Sequence, residues 1–226
     1  TDGAVSFDGS GDYLTVPANS DFSFDGDFTI ELWMNTSTFS LDTYYRRVVS
    51  TGPDSAGAIQ LLFLTGSATP KISVRSNAQL INGTIDAATG AWVHVAVARS
   101  GSSLKLFVDG VQSGSTATTS TNFANGATNG VTIGRYATVA SGHFKGFLSN
   151  IRVLKGTALY TANFTPPTRE LTNVTNTKLL CCQSNTSAIA AAVSPGTITA
   201  NGDAAATNFN PFNTDINTVR GQETGY

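Results

Sequence analysis

Two aspartates near the start of the chain have the side chains and the neighbours that a cation site requires. Asp8 and Asp12 lie in the stretch GAVSFDGSGDYLTV, residues 3–16, and each stands next to a glycine. Carboxylate oxygens are ligands that calcium prefers, and glycine lets a chain turn tightly around an ion. The same residues suit a plain turn, because an Asp side chain can cap the backbone of a Gly turn. The residue types leave both interpretations open, a calcium site and a capped turn.

Aromatic and cationic side chains cluster in the stretch DTYYRRVVS, residues 42–50. Tyr44, Tyr45, Arg46 and Arg47 can stack on sugar rings or pair with acidic glycans. The alternative is the start of a strand, with alternate side chains buried and the arginines in water. These four residues are therefore a candidate ligand-binding site.

Side chains that could carry out catalysis are few. The chain has three glutamates, Glu31, Glu170 and Glu223, and two histidines, His94 and His143. Glycoside hydrolysis needs two carboxyl groups about 5 to 10 Å apart, and no such pair is predicted. A zinc site needs more ligands than these histidines offer. We expect no catalytic residues and no enzymatic activity.

The composition excludes several classes of partner. Of the 226 residues, 40% are hydrophobic and 12% are charged, with a net charge of -2. Such a chain can bury a sizeable core but offers no basic surface for nucleic acid. No apolar run approaches the ~18 residues that cross a bilayer, so we expect no membrane contact, and no signal peptide is visible. The two cysteines, Cys181 and Cys182, are adjacent and cannot form a disulfide framework, which favours a pair of buried thiols.

Hydrophobic alternation with a period of two runs through most of the chain. It is clearest in FTIELWMN (28–35), AWVHVAVARS (91–100), SLKLFVDG (103–110) and KGFLSNIRVLKG (145–156). Turn signals separate these runs, and Asp109-Gly110 is the strongest signal for a two-residue hairpin. His94 alternates with valines, so we expect it to pack inside a sheet. The pattern predicts an all-β fold, either a two-sheet antiparallel sandwich or a jelly roll.

Five motifs, taken in order, resemble those of a known family. They are AVSFDGSGDYLTVP, GDFTIELWMN, AWVHVAVARSGSSLKLFVDGVQSGS, VTIGRY and FKGFLSNIRVLKGTALY, within about residues 4–160. Their order and spacing are similar to those of laminin-G-like, concanavalin A-like jelly-roll domains of the pentraxin type. The resemblance implies two antiparallel sheets packed face to face. It also implies a module that binds carbohydrate or protein, often with calcium.

The resemblance extends the candidate calcium site. In related jelly rolls a calcium ion joins an acidic residue of the first motif to an oxygen-bearing side chain near the last strand. Asn150, in LSNIRV, holds that position here. The implied calcium ligands are therefore Asp8, Asp12 and Asn150.

The resemblance also supports the absence of catalysis. Glycoside hydrolases of this fold carry a Glu-x-Asp-x-x-Glu strand, whose alternation places three carboxylates on one face. Here Glu31 is followed by Trp33 and Thr36 at the positions of the other two acids. A hydrolase stays a less favoured alternative.

The composition changes after Pro167, where the chain becomes small and polar. We expect a laminin-G-like jelly roll at 1–167, C-terminal strands that complete the sandwich at 168–200, and an extended polar arm or linker at 201–226. The stretch TKLLCCQS, residues 177–184, is apolar on both faces, as a covered strand would be. Two options remain for it, completion of this sandwich or a remnant of a neighbouring repeat.

The C-terminal motifs have a narrower resemblance. GTALYTANFTPPT, LTNVTNTKLLCCQSNT and RGQETGY resemble repeat-containing virion proteins of marine tailed phages, particularly those of cyanobacteria. This implies a non-enzymatic module of a virion, made in the host cytoplasm and placed in a tail fibre, a tail-associated adhesin or a capsid decoration. Its partners would be other virion proteins and host-surface glycan, and a homo-oligomer is compatible with this role. The alternative is a carbohydrate-binding module of a secreted bacterial adhesin, outside the cell.

Overall fold

The chain folds into two antiparallel β-sheets that pack face to face, which confirms the all-β sandwich. The structure, a computed structural model, describes residues 2–36, 46–63, 69–137 and 140–212. Two short helical turns, Ser20–Phe22 and Gly126–Asn129, accompany the strands of the described ranges. No helix in these ranges is both long enough and apolar enough to cross a bilayer.

The strands fall into two sheets. In chain order they are β1 (Ala4–Asp8), β2 (Tyr13–Val16), β3 (Phe28–Thr36), β4 (Arg47–Ser50), β5 (Gln60–Phe63), β6 (Lys71–Ser76), β7 (Ala78–Asp86), β8 (Val93–Ser100), β9 (Ser103–Val108), β10 (Val111–Gln112), β11 (Ala117–Thr118), β12 (Val131–Ile133), β13 (Lys145–Lys155), β14 (Thr177–Cys181), β15 (Ala191–Val193), β16 (Thr199–Asn201) and β17 (Ala205–Thr207). Sheet A has the order β10-β9-β8-β3-β13-β1-β17, with β11 beside β9, β14 beside β13 and β15 beside β14. Sheet B has the order β16-β2-β12-β4-β5-β6-β7.

The core lies between the two sheets and follows from the alternation in the sequence. In β3, Phe28, Ile30, Leu32 and Met34 are at most 1% exposed. They form one apolar cluster with side chains from β4, β5 and β6 of sheet B. Burying each such side chain contributes about 1.5 to 3 kcal/mol, so this interface supplies much of the stability of the fold.

The hairpin at Asp109-Gly110 is confirmed. These two residues join β9 to β10 and have φ angles of +47° and +76°. A two-residue hairpin of this kind needs positive φ at both positions, which Asp and Gly tolerate better than most residues. Asp109 also accepts a hydrogen bond from the backbone N–H of His94 at 2.8 Å, which fixes the turn against β8.

The strand in TKLLCCQS pairs within the same chain. β14 runs antiparallel to β13, with Val153 opposite Leu179 and Ile151 opposite Cys181. Leu179 and Leu180 are at most 1% exposed, which explains why the strand is apolar on both faces. Cys181 and Cys182 are free, buried thiols, as expected.

The predicted arm differs from the structure over its first residues. β16 pairs with β2 of sheet B, and β17 pairs with β1 of sheet A, so the chain through Thr207 is part of the sandwich. The sequence prediction misplaced this boundary because these strands are three residues long and made of small side chains. The edges of β1 and β2 supply the hydrogen bonds that such weak strands need. The last 14 residues, 213–226, lie outside the described residues.

One long segment without strands crosses the outer face of sheet A. This segment, residues 157–172, is called the strap. The backbone N–H of Leu159 donates to Thr29 Oγ1 at 2.9 Å, and that of Phe164 donates to the Gly110 carbonyl at 2.9 Å. The strap therefore covers β3, β8 and β9 on the side away from sheet B.

Several connections meet at one end of the sandwich because neighbouring strands are antiparallel. β1, β3, β12 and β16 finish at this end, and β2, β4, β13 and β17 begin there. We call it the loop end. The turn at residues 9–12, the turn at 202–204 and the described parts of the 134–144 connection all belong to it.

Candidate functional site

Three aspartates meet at the loop end. Asp8 finishes β1, Asp12 precedes β2 and Asp203 lies between β16 and β17. One carboxylate oxygen from each lies within 4.8 Å of the others, and Asp12 is the buried member at 2% exposure. The structure thus brings Asp8 and Asp12 together, as predicted, and adds a third acid that the sequence pattern did not indicate.

Asp12 also has a structural role. Its Oδ2 accepts the backbone N–H of Asp8 at 2.8 Å, and its Oδ1 accepts that of Asp203 at 2.8 Å. Asp8 Oδ1 accepts the N–H of Ser10 at 2.6 Å. The capped turn, one of the two open interpretations, is therefore present, and Asp12 ties the first turn of the chain to the β16–β17 turn.

The chemistry of this cluster also suits calcium. Calcium takes six to eight hard oxygens, and each carboxylate oxygen keeps a lone pair after accepting one hydrogen bond. Three carboxylates so close together repel one another, and a cation would relieve that repulsion. Calcium at Asp8 and Asp12 stays a prediction.

Asn150 does not belong to this cluster. Asp8 pairs with Lys145 at the start of β13, and Asn150 lies five residues further on, on the order of 15 Å along the strand. Its buried Oδ1 accepts hydrogen bonds from the Leu171 N–H and from Gln183 Nε2, both at 2.8 Å. Its φ of +53° sits at a β-bulge that turns the side chain toward the strap. Asn150 therefore links β13 to the C-terminal segments and does not complete the site at Asp8.

The four-residue tyrosine and arginine cluster is only partly described. Tyr44 and Tyr45 lie outside the described residues. Arg46 is half-buried, whereas Arg47 is 5% exposed and its guanidinium lies 3.9 Å from the ring centre of Tyr136. Arg47 Nε donates to Gln60 Oε1 at 3.3 Å. The strand alternative expected this arginine to lie in water, but Arg47 is buried against the ring of Tyr136.

A second arginine stacks on a tyrosine at the loop end. The guanidinium of Arg135 lies 3.7 Å from the ring centre of Tyr13, and both side chains are half-buried. Burial and the charge of Arg135 lower the pKa of His143, although Asp8 and Asp12 oppose that shift. The loop end thus carries a half-buried guanidinium stacked on an aromatic ring as well as the three aspartates, groups that can hydrogen-bond to sugar hydroxyls.

Glu31 lies at the centre of a buried polar network under the strap. Its Oε1 accepts from Arg152 Nε and Nη2 at 2.9 and 2.6 Å. Its Oε2 accepts from the Tyr160 hydroxyl at 2.8 Å and lies 3.2 Å from His94 Nε2. Glu31 and His94 are both 0% exposed. The network joins β3, β8 and β13 to the strap and confirms that His94 packs inside the sheet.

The partners of Glu31 decide its charge. Burial alone would raise the pKa of Glu31, but His94 and Arg152 outweigh burial, so the pKa lies below its ordinary value. Burial raises the pKa of Tyr160, and the charge of Glu31 raises it further. Glu31 is thus a carboxylate that accepts hydrogen bonds, and neither group is poised to transfer a proton near pH 7.

A family model described as the concanavalin A-like lectin/glucanases superfamily matches residues 8–160, about two thirds of the chain. The chain belongs to this superfamily. The comparison with curated proteins gives no significant match.

Three solved structures align with this chain at low identity, and the first of them shows the same fold. A protein from Bacteroides ovatus, whose assignment as carbohydrate-binding is itself provisional, aligns with a TM-score of 0.67 at 19% identity. The alignment covers 91% of this chain but only 59% of that protein. A heptameric pentraxin from Limulus polyphemus aligns at 0.45 with 16% identity, over 67% of this chain and 75% of the pentraxin. Domains LG4-5 of the mouse laminin alpha1 chain align at 0.46 with 19% identity, over 73% of this chain and 46% of theirs.

As a member of the concanavalin A-like superfamily, the chain could resemble either its lectins or its glucanases. Glu31, the acidic residue on the outer face of β3, is fully buried and ion-paired. Trp33 occupies the next outward-facing position of the strand. Sequence reasoning found Glu31 but missed its partners Arg152 and Tyr160, which lie 121 and 129 residues away. The strap contains two aromatic residues, Tyr160 and Phe164, and they are the sequence signal that could have indicated a cover on this face.

Proposed function

We propose that this chain is a non-enzymatic module that binds glycan at the surface of a phage virion. The module would belong to a tail fibre, a tail-associated adhesin or a capsid decoration, where it recognises host-surface glycan. Particle stabilisation through contacts with other virion proteins is the second role that this placement allows.

The burial of Glu31 is the observation that supports the absence of enzymatic activity in this proposal. Both oxygens of this carboxylate are occupied, and the side chain is fully buried beneath the strap. A glycosidase needs one carboxyl group that can protonate the leaving group and a second that attacks or activates water. A substrate could reach Glu31 only after displacing Tyr160 and the strap. Within the superfamily, this arrangement favours the lectin over the glucanase.

The loop end supports the binding part. Arg135, half-buried against the ring of Tyr13, offers a planar cationic group at the loop end, where the three aspartates also lie. Tyr44, Tyr45 and Arg46 are also proposed to contact glycan, and calcium is proposed to bind at the aspartates. Bidentate guanidinium groups and a bound cation are both common means of holding sugar hydroxyls and acidic sugars.

Placement on a virion rests on the composition and on the tail motifs. Charged residues make up 12% of the chain, and its turns are rich in Gly, Asn and Ser, as in sheet proteins exposed at particle surfaces. A secreted bacterial adhesin is the rival, and the genes beside the full-length gene distinguish the two. Portal, tail and capsid genes would support the virion, whereas a signal peptide on the full-length product would support the adhesin.

A glycan array probed with the purified chain tests the binding. We expect retention of a small set of glycans, weakened by Arg135→Ala and unchanged by the control Arg169→Ala, an exposed arginine outside the loop end. Failure to retain any glycan, on the array or on host cells, would contradict the proposal.

A further inference from the structure

A pocket of about 190 Å³ lies at one edge of the strap, at the end of the sandwich opposite the loop end. β8 runs antiparallel to β3, which finishes at the loop end, so β8 ends and β9 begins at the opposite end. The described lining residues come from these two strands and from the strap: Ala98, Ser100, Ser103, Lys105, Tyr160 and Thr161. Sites for drug-sized ligands measure roughly 300 to 1,000 Å³, so this pocket suits a smaller group, such as one sugar residue.

The pairing of β8 with β9 places the strand residues of the lining on one face. Lys105 lies opposite Ala98, and Ser103 lies opposite Ser100. Residues two apart on a strand point to the same face, and Leu104, between the two lining residues of β9, points into the core. All four side chains therefore project from the outer face of sheet A, where the small side chain of Ala98 leaves a depression.

Lys105 supplies a cationic group that is already held in position. Its Nζ donates to the Thr161 carbonyl at 2.6 Å, and the side chain is half-buried. No carboxylate among the described residues forms an ion pair with Lys105. An ammonium group has three N–H donors, so two remain for a ligand. Because the strap carbonyl already restricts this side chain, Lys105 loses less freedom when an anionic ligand binds.

Hydroxyl groups line the other end of the pocket. Ser100 and Ser103 are exposed, and neither hydroxyl is hydrogen-bonded to another described residue. Each can both donate and accept a hydrogen bond. Asp27 lies beside the turn that joins β8 to β9, where its Oδ1 accepts the Gly101 N–H at 2.8 Å. The lysine end of the pocket is therefore positive, and a negative charge lies near the serine end.

This polarity indicates the chemistry of the ligand. A uronic acid residue carries a carboxylate at one side of a pyranose ring and hydroxyls at the other. The carboxylate can accept from Lys105 in a charge-assisted hydrogen bond, roughly twice as strong as a neutral one. The hydroxyls can pair with the two serines, whereas a second anionic group there would be repelled by Asp27. Inorganic sulfate could meet Lys105 but has no hydroxyl side, and a neutral sugar would leave the ammonium without a counter-charge.

We propose that this pocket binds one uronic acid residue of a glycan, with the sugar carboxylate at Lys105 and sugar hydroxyls at Ser100 and Ser103. The inference rests on the proposed function, glycan recognition, and names an acidic sugar as the ligand of a second site. The two sites lie at opposite ends of the sandwich, so each can be altered without the other.

Backbone NMR signals test the contact directly. We would titrate the ¹⁵N-labelled chain with the methyl glycosides of glucuronic, galacturonic and mannuronic acid. The neutral methyl esters of the same sugars and inorganic sulfate are the comparisons. We expect at least one uronide to shift the amide signals of Ser100, Ser103 and Thr161 saturably, and to do so in Arg135→Ala as well. Its ester should bind at least about ten-fold more weakly, because it lacks the charge-assisted hydrogen bond, and sulfate should also bind more weakly.

Two variants locate the site. Lys105→Met removes the charge from a side chain of similar length and should weaken binding about ten-fold or more. Ser103→Ala removes one hydroxyl, leaves the bond between Lys105 and the strap intact, and should weaken binding roughly two- to ten-fold. The matched control is Lys155→Met, because Lys155 is also half-buried and its Nζ also donates to a carbonyl, that of Ser20, at 2.8 Å. It should leave affinity unchanged, and melting temperatures measured in parallel show that each variant is folded.

Four outcomes would overturn the inference. They are no saturable shift of the pocket amides with any uronide, equal binding of uronide and ester, sulfate binding as tight as that of the best uronide, and unchanged affinity in Lys105→Met and Ser103→Ala. If the glycan array remains positive and sensitive to Arg135→Ala in such a case, the proposed function stands and only the pocket fails. If neither array nor titration shows binding, the proposed function fails as well.

Discussion

Tyr160 donates its hydroxyl hydrogen to Glu31 Oε2 across 2.8 Å, although the two residues lie 129 positions apart in the sequence. This contact fixes the strap on the outer face of sheet A, and Tyr160 shares Oε2 of Glu31 with His94 Nε2. Arg152 and His94 occupy the other positions around the carboxylate. A face that could have formed an open cleft is therefore closed by the chain itself.

Glu31→Gln should lower the free energy of unfolding. It should abolish no hydrolytic activity, because the wild type is expected to have none. The substitution leaves the Arg152 guanidinium buried without its counter-charge, and breaking a buried pair costs about 3 to 5 kcal/mol. Urea unfolding measures the loss, and Asp2→Asn, at an exposed position, should change stability by less than about 0.5 kcal/mol. Equal stability of Glu31→Gln and wild type would show that the network contributes nothing.

The same carboxylate should produce a defined pH dependence. Its folded pKa lies below the ordinary value of 4.5. The stabilisation is therefore fully present above that value and is lost as the pH falls through the folded pKa. The difference in unfolding free energy between wild type and Glu31→Gln should be constant from neutral pH down to about 5 and should shrink in stronger acid. A difference that stays constant throughout the acid range would rule out this titration.

Tyr160→Phe should loosen the strap selectively. Removing the hydroxyl takes one hydrogen bond from a buried carboxylate, a loss of about 1.5 to 3 kcal/mol. Hydrogen exchange of the backbone N–H groups of Leu159 and Phe164, which bond to the sheet, should become faster than that of β9. Unchanged exchange at these amides would mean that the aromatic stacking alone holds the strap.

Calcium, if bound at the loop end, should stabilise the chain by mass action. EDTA should then lower the melting temperature, and added calcium should restore it. Asp8→Asn with Asp203→Asn should remove this response and spare the backbone hydrogen bonds that Asp12 accepts. A double variant that keeps the full calcium response would exclude this cluster as the calcium site.

The C-terminal strands should be needed for solubility. A chain that ends at Pro167 lacks β14 to β17 and exposes the edges of β1, β2 and β13. Exposed apolar edges of this kind favour aggregation. A chain that ends at Phe212 is the control, since it keeps every described strand. Equal solubility and stability of the two chains would show that the terminal strands are dispensable.

Local patterns predicted much of the fold. The alternation in β3 and the Asp109-Gly110 hairpin depend on neighbours in sequence, and both are present. Contacts across long sequence separations could not be predicted. Asp203 reaches Asp12 across 191 residues, and no local feature marks it.

Two errors have clear physical causes. Asn150 was assigned to the calcium site by analogy, but the β-bulge at its positive φ turns the side chain toward Leu171. The boundary at residue 201 was misplaced because Thr199–Asn201 and Ala205–Thr207 are too short and too weakly apolar to predict as strands. Their stability comes from the strands that they pair with.

The central claim is that the chain binds glycan and leaves it intact. The most direct measurement takes a glycan that the chain retains, incubates it with the chain, and determines its mass and its reducing ends after elution. We expect the glycan to be recovered at its original mass, with no new reducing ends above a heat-killed control. Shortened glycan whose release is abolished by Glu31→Gln would contradict the claim.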